Sequence, residues 1–191
     1  NDTTFLGLEE LQRGTTPDME QYCVTIMALF DKKGGTIPDM EKDNTMAIAL
    51  LERKEVVGAD AELAKLYLLL GASRWGQSKF DLAVESYVKA EQLSIKIGNE
   101  KLLGEIYGHL GNLESERGRY TSSFEYCIKG LPLWRKPLSF TQTGFAALAL
   151  LYNSVGDYET SLEYCREGQK ILRARGEIPG HIYSLMGETF F

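Results

Sequence analysis

Tyr67-Leu68-Leu69-Leu70-Gly71 is answered further along the chain by Tyr107-Gly108-His109-Leu110-Gly111, by Phe145-Ala146-Ala147-Leu148-Ala149 and by Tyr183-Ser184-Leu185-Met186-Gly187. The offsets are 40, 38 and 38 residues. Self-similarity at a fixed period of this size indicates stacked copies of one supersecondary unit rather than a single irregular domain. Outward from each of the first three copies comes a second aromatic (Phe80, Tyr120, Tyr158) and then a small residue (Ala83, Ser123, Ser161). Beyond those lie Tyr87 with Ala90, Cys127 with Gly130, and Cys165 with Gly168. Small residues let two helix backbones approach, and the large ones beside them fill the space between.

The periodicity predicts helices at about 60–77, 80–97, 101–117, 120–135, 140–155, 158–175 and 180–191, with no strand signal. Gly98, Gly118, Gly156 and Gly176 fall at the ends of these segments, where a left-handed residue closes a helix. The expected fold is all-α, a right-handed superhelical solenoid of antiparallel helix pairs.

An aromatic, then Leu-Gly, then a small and a large residue on the second helix is a pattern that resembles the tetratricopeptide repeat. The resemblance covers Ala61 to Phe191, with repeats at about 61–98, 101–137 and 139–179 within a 59–179 array, and 180–191 as the first helix of a fourth. These units exceed the usual ~34 residues. They look more like the longer-repeat members found in kinesin light chains, G-protein-signalling modulators and bacterial regulators. The chain departs from the family pattern in lacking a proline at most repeat ends, with only Pro137 and Pro179 near such junctions.

Upstream, Gly14-Thr-Thr-Pro-Asp-Met-Glu20 and Gly35-Thr-Ile-Pro-Asp-Met-Glu41 repeat at an offset of 21. Proline is tolerated in a first helical turn and acidic residues suit the positive helix end, so helices are expected at about 18–31 and 39–56. Their apolar faces (Tyr22, Ile26, Leu29, Phe30; Met46, Leu50, Leu51) mark residues 1–58 as a degenerate hairpin capping the array. At the other end the 180–191 helix carries Tyr183, Met186, Phe190 and Phe191, although a terminal element needs a polar outer face. The expectation is that the array continues in a longer protein, with end-to-end self-association through this helix as the second reading.

Composition excludes several functions. Apolar residues make up 43% and charged residues 25%, which suits a folded core. The net charge is −6 and the basic residues are scattered, so no phosphate-tracking stripe exists and nucleic acid is not expected as a partner. The longest apolar run, Phe145 to Tyr152, is far shorter than the roughly 20 residues a membrane span requires, so no membrane insertion is expected. The chain begins with Asn1, which reads as a processed or trimmed product. The cytoplasm is the favoured compartment, and an extracytoplasmic one after signal removal stays open.

Catalytic signals are missing. The two histidines, His109 and His181, belong to no metal or nucleophile motif and read as structural or solvated. The three cysteines are separated by 104 and 38 residues, which matches no metal spacing. Cys127 and Cys165 occupy equivalent core slots and read as buried, unbonded thiols. Gly104, Gly108 and Gly111 lie at helical packing spacing without a following Lys-Ser/Thr, so they do not form a phosphate loop. Asn1-Asp2-Thr3 matches a glycan acceptor triplet by chance. No cofactor or metal is expected, and the chain reads as a non-enzyme.

What remains is the inner face formed by the first helix of each repeat. Counting from the Leu-Gly element places there Lys65, Leu68, Ala72 and Trp75; Glu105, Gly108, Asn112 and Ser115; Thr143, Ala146, Leu150 and Asn153; and Glu188. This small, partly polar set suits a peptide. Leu110-Gly111-Asn112 resembles the Leu-Gly-Asn element of longer-repeat members, and that resemblance implies that Asn112 grips a peptide backbone. An amide suits the task because it both donates and accepts. Asn153 lies one turn from the equivalent slot, and Trp75 reads either as an aromatic anchor or as packing against the N-terminal cap. The sequence thus points to a protein- or peptide-binding module, the sensor or scaffold part of a larger regulator. The alternative is an architectural spacer or dimerisation element beside a kinase or DNA-binding unit.

Overall fold

The computed structural model describes residues 37–53, 59–136 and 141–177, and every regular element among them is helical. We number these α1 (Ile37–Arg53), α2 (Asp60–Gly76), α3 (Phe80–Lys96), α4 (Glu100–Glu116), α5 (Tyr120–Trp134), α6 (Thr141–Ser154) and α7 (Tyr158–Ala174). The expected helices at 18–31 and 180–191 lie outside the described residues, as do Cys23, His181 and Glu188. None of the described helices is long and apolar enough to cross a membrane.

Consecutive helices pack as pairs, α2 on α3, α4 on α5 and α6 on α7, with α1 against α2. The turn inside each pair is short because a left-handed residue reverses the chain there. Gly118 (φ +72°) and Gly156 (φ +81°) do this in the second and third pairs, and Ser78 (φ 59°) stands in for them in the first. Asn99 and Asp157 cap α4 and α7, their side-chain oxygens accepting from Leu102 N at 3.0 Å and Thr160 N at 3.1 Å.

Inside each pair, the residue after the leucine of the repeated element faces the large residue of the second helix. A Cβ on Gly71 would lie 2.6 Å from the Tyr87 ring, and one on Gly111 would lie 2.9 Å from Cys127 Sγ. In the third pair the slot is Ala149, sharing one core with Cys165. The small residue at the start of the second helix adds a polar tie. Ser123 Oγ donates to the Gly111 carbonyl at 2.8 Å and Ser161 Oγ to the Ala149 carbonyl at 2.9 Å, both buried. Ala83 leaves the first pair without this bond.

Charged contacts stitch neighbouring turns. Glu41 of α1 receives Arg74, Gln77 and Lys79 at 3.2, 2.8 and 2.6 Å, and these donors, Lys79 foremost, hold its carboxyl below the usual range. Arg117, after α4, reaches both the buried Glu114 (2.9 Å) and Asp81 of α3 (2.5 Å).

The joints between pairs are unequal. Helices α4 and α6 pack along much of their length, whereas α2 and α4 touch at few points. Side-chain size explains this. At the α4–α6 joint α4 offers Gly108 and Ser115, and a Cβ on Gly108 would lie 3.2 Å from the Gly144 backbone nitrogen. Forty residues earlier, α2 offers Leu68 and Trp75 at the same positions. The tight joint is locked by Trp134, which is fully buried against the Gly144 backbone while its Nε1 donates to the Gly104 carbonyl at 2.7 Å.

Candidate functional site

A stripe of polar side chains runs along α4 beside the wider joint. Glu105, His109, Asn112 and Glu116 recur at steps of four, three and four residues, which confines them to an arc of about 60° over about 16 Å of helix. Leu102, Ile106, Leu110 and Leu113 bury the adjacent face in the core shared with α1 to α3. Gly104, Gly108, Gly111 and Ser115 occupy the face turned to α6 or α5.

Two residues from the preceding pair close on this stripe. Tyr87 of α3 is completely buried, and its ring stacks on His109 with centroids 5.5 Å apart and planes 4° from parallel. Trp75 of α2 meets His109 edge-on at 6.1 Å and crosses the joint to donate its Nε1 to Glu116 Oε2 at 2.6 Å. The indole therefore spans from α2 to the C-terminal turn of α4.

The polar atoms beneath are under-satisfied. Tyr87 Oη, His109 Nδ1 and Asn112 Oδ1 are buried without a hydrogen-bond partner. Unpaired buried polar groups cost about 1–3 kcal/mol each, so natural cores keep few of them; the others among the described residues are both amide atoms of Asn44 on α1 and Ser94 Oγ on α3. Burial pushes His109 down to about 4, keeping the imidazole neutral. Burial also raises the Glu105 carboxyl, with Lys101, one turn back, the positive charge that acts on it. The Tyr87 hydroxyl is raised, first by burial and then by the Glu105 charge.

The expected inner-face residues divide. Glu105 and Asn112 share the stripe, and Trp75 closes over it from α2. Lys65 on α2 and Asn153 on α6 are half-buried on their own helices and are not brought into this cluster. Ser115 does not line an open face: it is buried, and so are Leu68, Gly108 and Ala146. At these positions the helices face their neighbours, so the residues are spent on packing. Trp75, read as either an anchor or cap packing, rests on the core that α1 to α4 share and bridges to Glu116 of α4.

His109, Tyr87 and Glu116 were not among the expected site residues. His109 sits beside Leu110-Gly111 and reads as part of the packing element, yet its three- and four-residue spacing from Glu105, Asn112 and Glu116 carries the signal. Tyr87 occupies a core slot, and only the three-dimensional arrangement shows that its hydroxyl lacks a partner. Cys127 and Cys165 are free and buried, and burial pushes the Cys127 thiol up to about 12. Among the described residues no group of three or more His, Cys, Asp and Glu side chains is placed to hold a metal ion.

No protein-family model matches this chain, and a search of curated proteins returns no match.

Proposed function

We propose that the packed helix pairs form a right-handed superhelical stack of the tetratricopeptide type and that it works as a non-catalytic peptide-binding module. The α4 stripe would line the inner groove. The observation that carries this reading is Asn112, whose Oδ1 is buried and unpartnered on the same face as Glu105. An orphaned amide oxygen there is suited to a main-chain N–H donor, because a backbone contact recognises peptide irrespective of side chain. The repeat spacing and the Leu110-Gly111-Asn112 element support the same reading, and such a module fits the sensor or scaffold part of a larger regulatory protein.

The test is selection of peptides from a displayed random library on the immobilised chain, followed by affinity measurement with Asn112→Ala and Glu105→Ala. The expected result is at least a tenfold loss of affinity in both variants with unfolding midpoints close to wild type. Equal binding by wild type and variants would remove the α4 stripe from the site. Failure to select any peptide would remove the function.

A further inference from the structure

Resting on the reading of this face as a peptide groove, we infer that the bound peptide carries an acidic and a basic side chain in one fixed order, the acidic one over Lys65 of α2 and the basic one over Glu105 of α4. Lys65, Leu69, Ala72 and Gly76 recur on α2 at steps of four, three and four residues, and each stands 40 residues before its counterpart in the α4 stripe, Glu105, His109, Asn112 and Glu116. All of these residues keep exposed surface, whereas Leu66, Leu68 and Leu70 between the first four, and Ile106, Gly108 and Leu110 between the second, are buried. The two stripes are therefore the sides of α2 and α4 left open to solvent.

The α2 stripe carries one charge, Lys65, and the matching place on α4 carries the opposite one. Both side chains are half-buried, and neither makes a hydrogen bond or ion pair among the described residues, although Glu62 and Lys101 stand about one turn before them. On α6 the matching position is Thr143, so the row across the first helices of the three pairs reads cation, anion, neutral hydroxyl.

A half-buried charge is screened less than one in open water and gains correspondingly when an opposite charge reaches it. One ligand serves both positions only if it carries both signs. Neighbouring packed helices lie about 8–10 Å apart, and an extended chain advances about 3.3 Å per residue, so side chains two or three places apart in a peptide reach both. Exchanging the two residues sets like charges against each other, so the arrangement selects one order and with it one direction of the peptide across the stack. Trp75 stays where it packs, since about 15 Å of helix separates it from Lys65. Asn112 lies two turns beyond Glu105 on the same stripe, within reach of the next residues of the peptide.

The experiment starts from peptides selected on the full 191-residue chain from a displayed random library, resynthesised as selected and with their acidic and basic residues exchanged. The expected result is a shared acidic and basic residue at one order and spacing, and at least a tenfold loss of affinity for wild type on exchange. Lys65→Glu combined with Glu105→Lys should reverse that preference, with circular dichroism reporting an intact helical fold. The exchange on the peptide side needs no variant to fold, so it is a test by itself. The ordered charge pair is overturned by selected peptides that lack it, by equal binding of the two forms, or by a folded double variant that keeps the wild-type preference. Any of these, with peptides that still lose affinity in Asn112→Ala, overturns the charge pair and leaves the groove standing; selection of no peptide at all overturns both.

Discussion

The rings of Tyr87 and His109 lie face to face, 5.5 Å between centroids, although they come from different helix pairs. The contact couples the first pair to the second through an imidazole that burial keeps neutral, with a pKa of about 4 against an ordinary 6.5. A depressed histidine pKa means that the unfolded chain takes up the proton first, so stability falls as pH drops from about 6.5 toward 4. Between pH 7 and pH 5 the wild-type chain should lose on the order of 2 kcal/mol from this group. His109→Phe should abolish that share while keeping the stack, as read by urea unfolding at both pH values.

Glu105 has the opposite sign. Its carboxyl is raised by burial, so the folded state holds the proton more tightly and the ionised form is disfavoured at neutral pH. Glu105→Gln should therefore leave stability at pH 7 unchanged or raise it by up to about 1 kcal/mol. Its stability should also gain less than wild type's on acidification toward pH 5. A urea series on both proteins measures this.

Ser78 occupies the left-handed turn position that Gly118 and Gly156 hold in the later pairs. A side chain there costs about 1–2 kcal/mol, partly offset by the extra freedom glycine has when unfolded. Ser78→Gly should raise stability by roughly 0.5–1 kcal/mol, read as a higher thermal midpoint.

Gly144 and Gly104 separate packing from helix propensity. A Cβ at Gly144 would overlap the buried Trp134 indole, which its bond to the Gly104 carbonyl holds in place. Gly144→Ala should destabilise the chain by about 1–3 kcal/mol despite alanine's better helix propensity. At Gly104 the nearest atoms would be 3.4 Å away, an ordinary contact. Gly104→Ala should be neutral or stabilise by up to about 1 kcal/mol, measured by the same denaturation curves.

Cys127 and Cys165 should stay unmodified by a thiol reagent in the folded chain, since both are buried and burial raises both thiols. In a Cys23→Ser background, two thiols should react on unfolding and none before. Reaction of the native chain at either position would show that the second helices open locally.

The described helices were legible because their spacing has one physical cause. A small residue on one helix opposes a large one on the next, and Gly71 with Tyr87 or Gly111 with Cys127 follow that rule at fixed separation. The helix-closing glycines were legible for the same reason, since a reversal needs a left-handed residue. Ser78 escaped notice because serine signals no such conformation. Within the site, Glu105 and Asn112 could be placed by counting along α4. Ser115 could not, because whether that position faces solvent or a neighbour depends on how closely α6 approaches, and Gly108 and Gly144 decide that together. Tyr87 was invisible as a polar residue because its ring fills a core slot and only its final atom lacks a partner.

Trp134 occurs at one joint only, and its consequence is mechanical. Its indole lies against the Gly144 backbone of α6 and donates to the Gly104 carbonyl of α4, so one side chain of α5 joins three helices whose core α7 shares. The α2–α4 joint has no such wedge: there Leu102, Ile106, Leu110 and Leu113 of α4 join the core of α1 to α3, and Trp75 adds one bond across to Glu116. Loss of one indole therefore touches three helices at the α4–α6 joint, whereas at the α2–α4 joint it releases one carboxylate and leaves the shared leucine core in place.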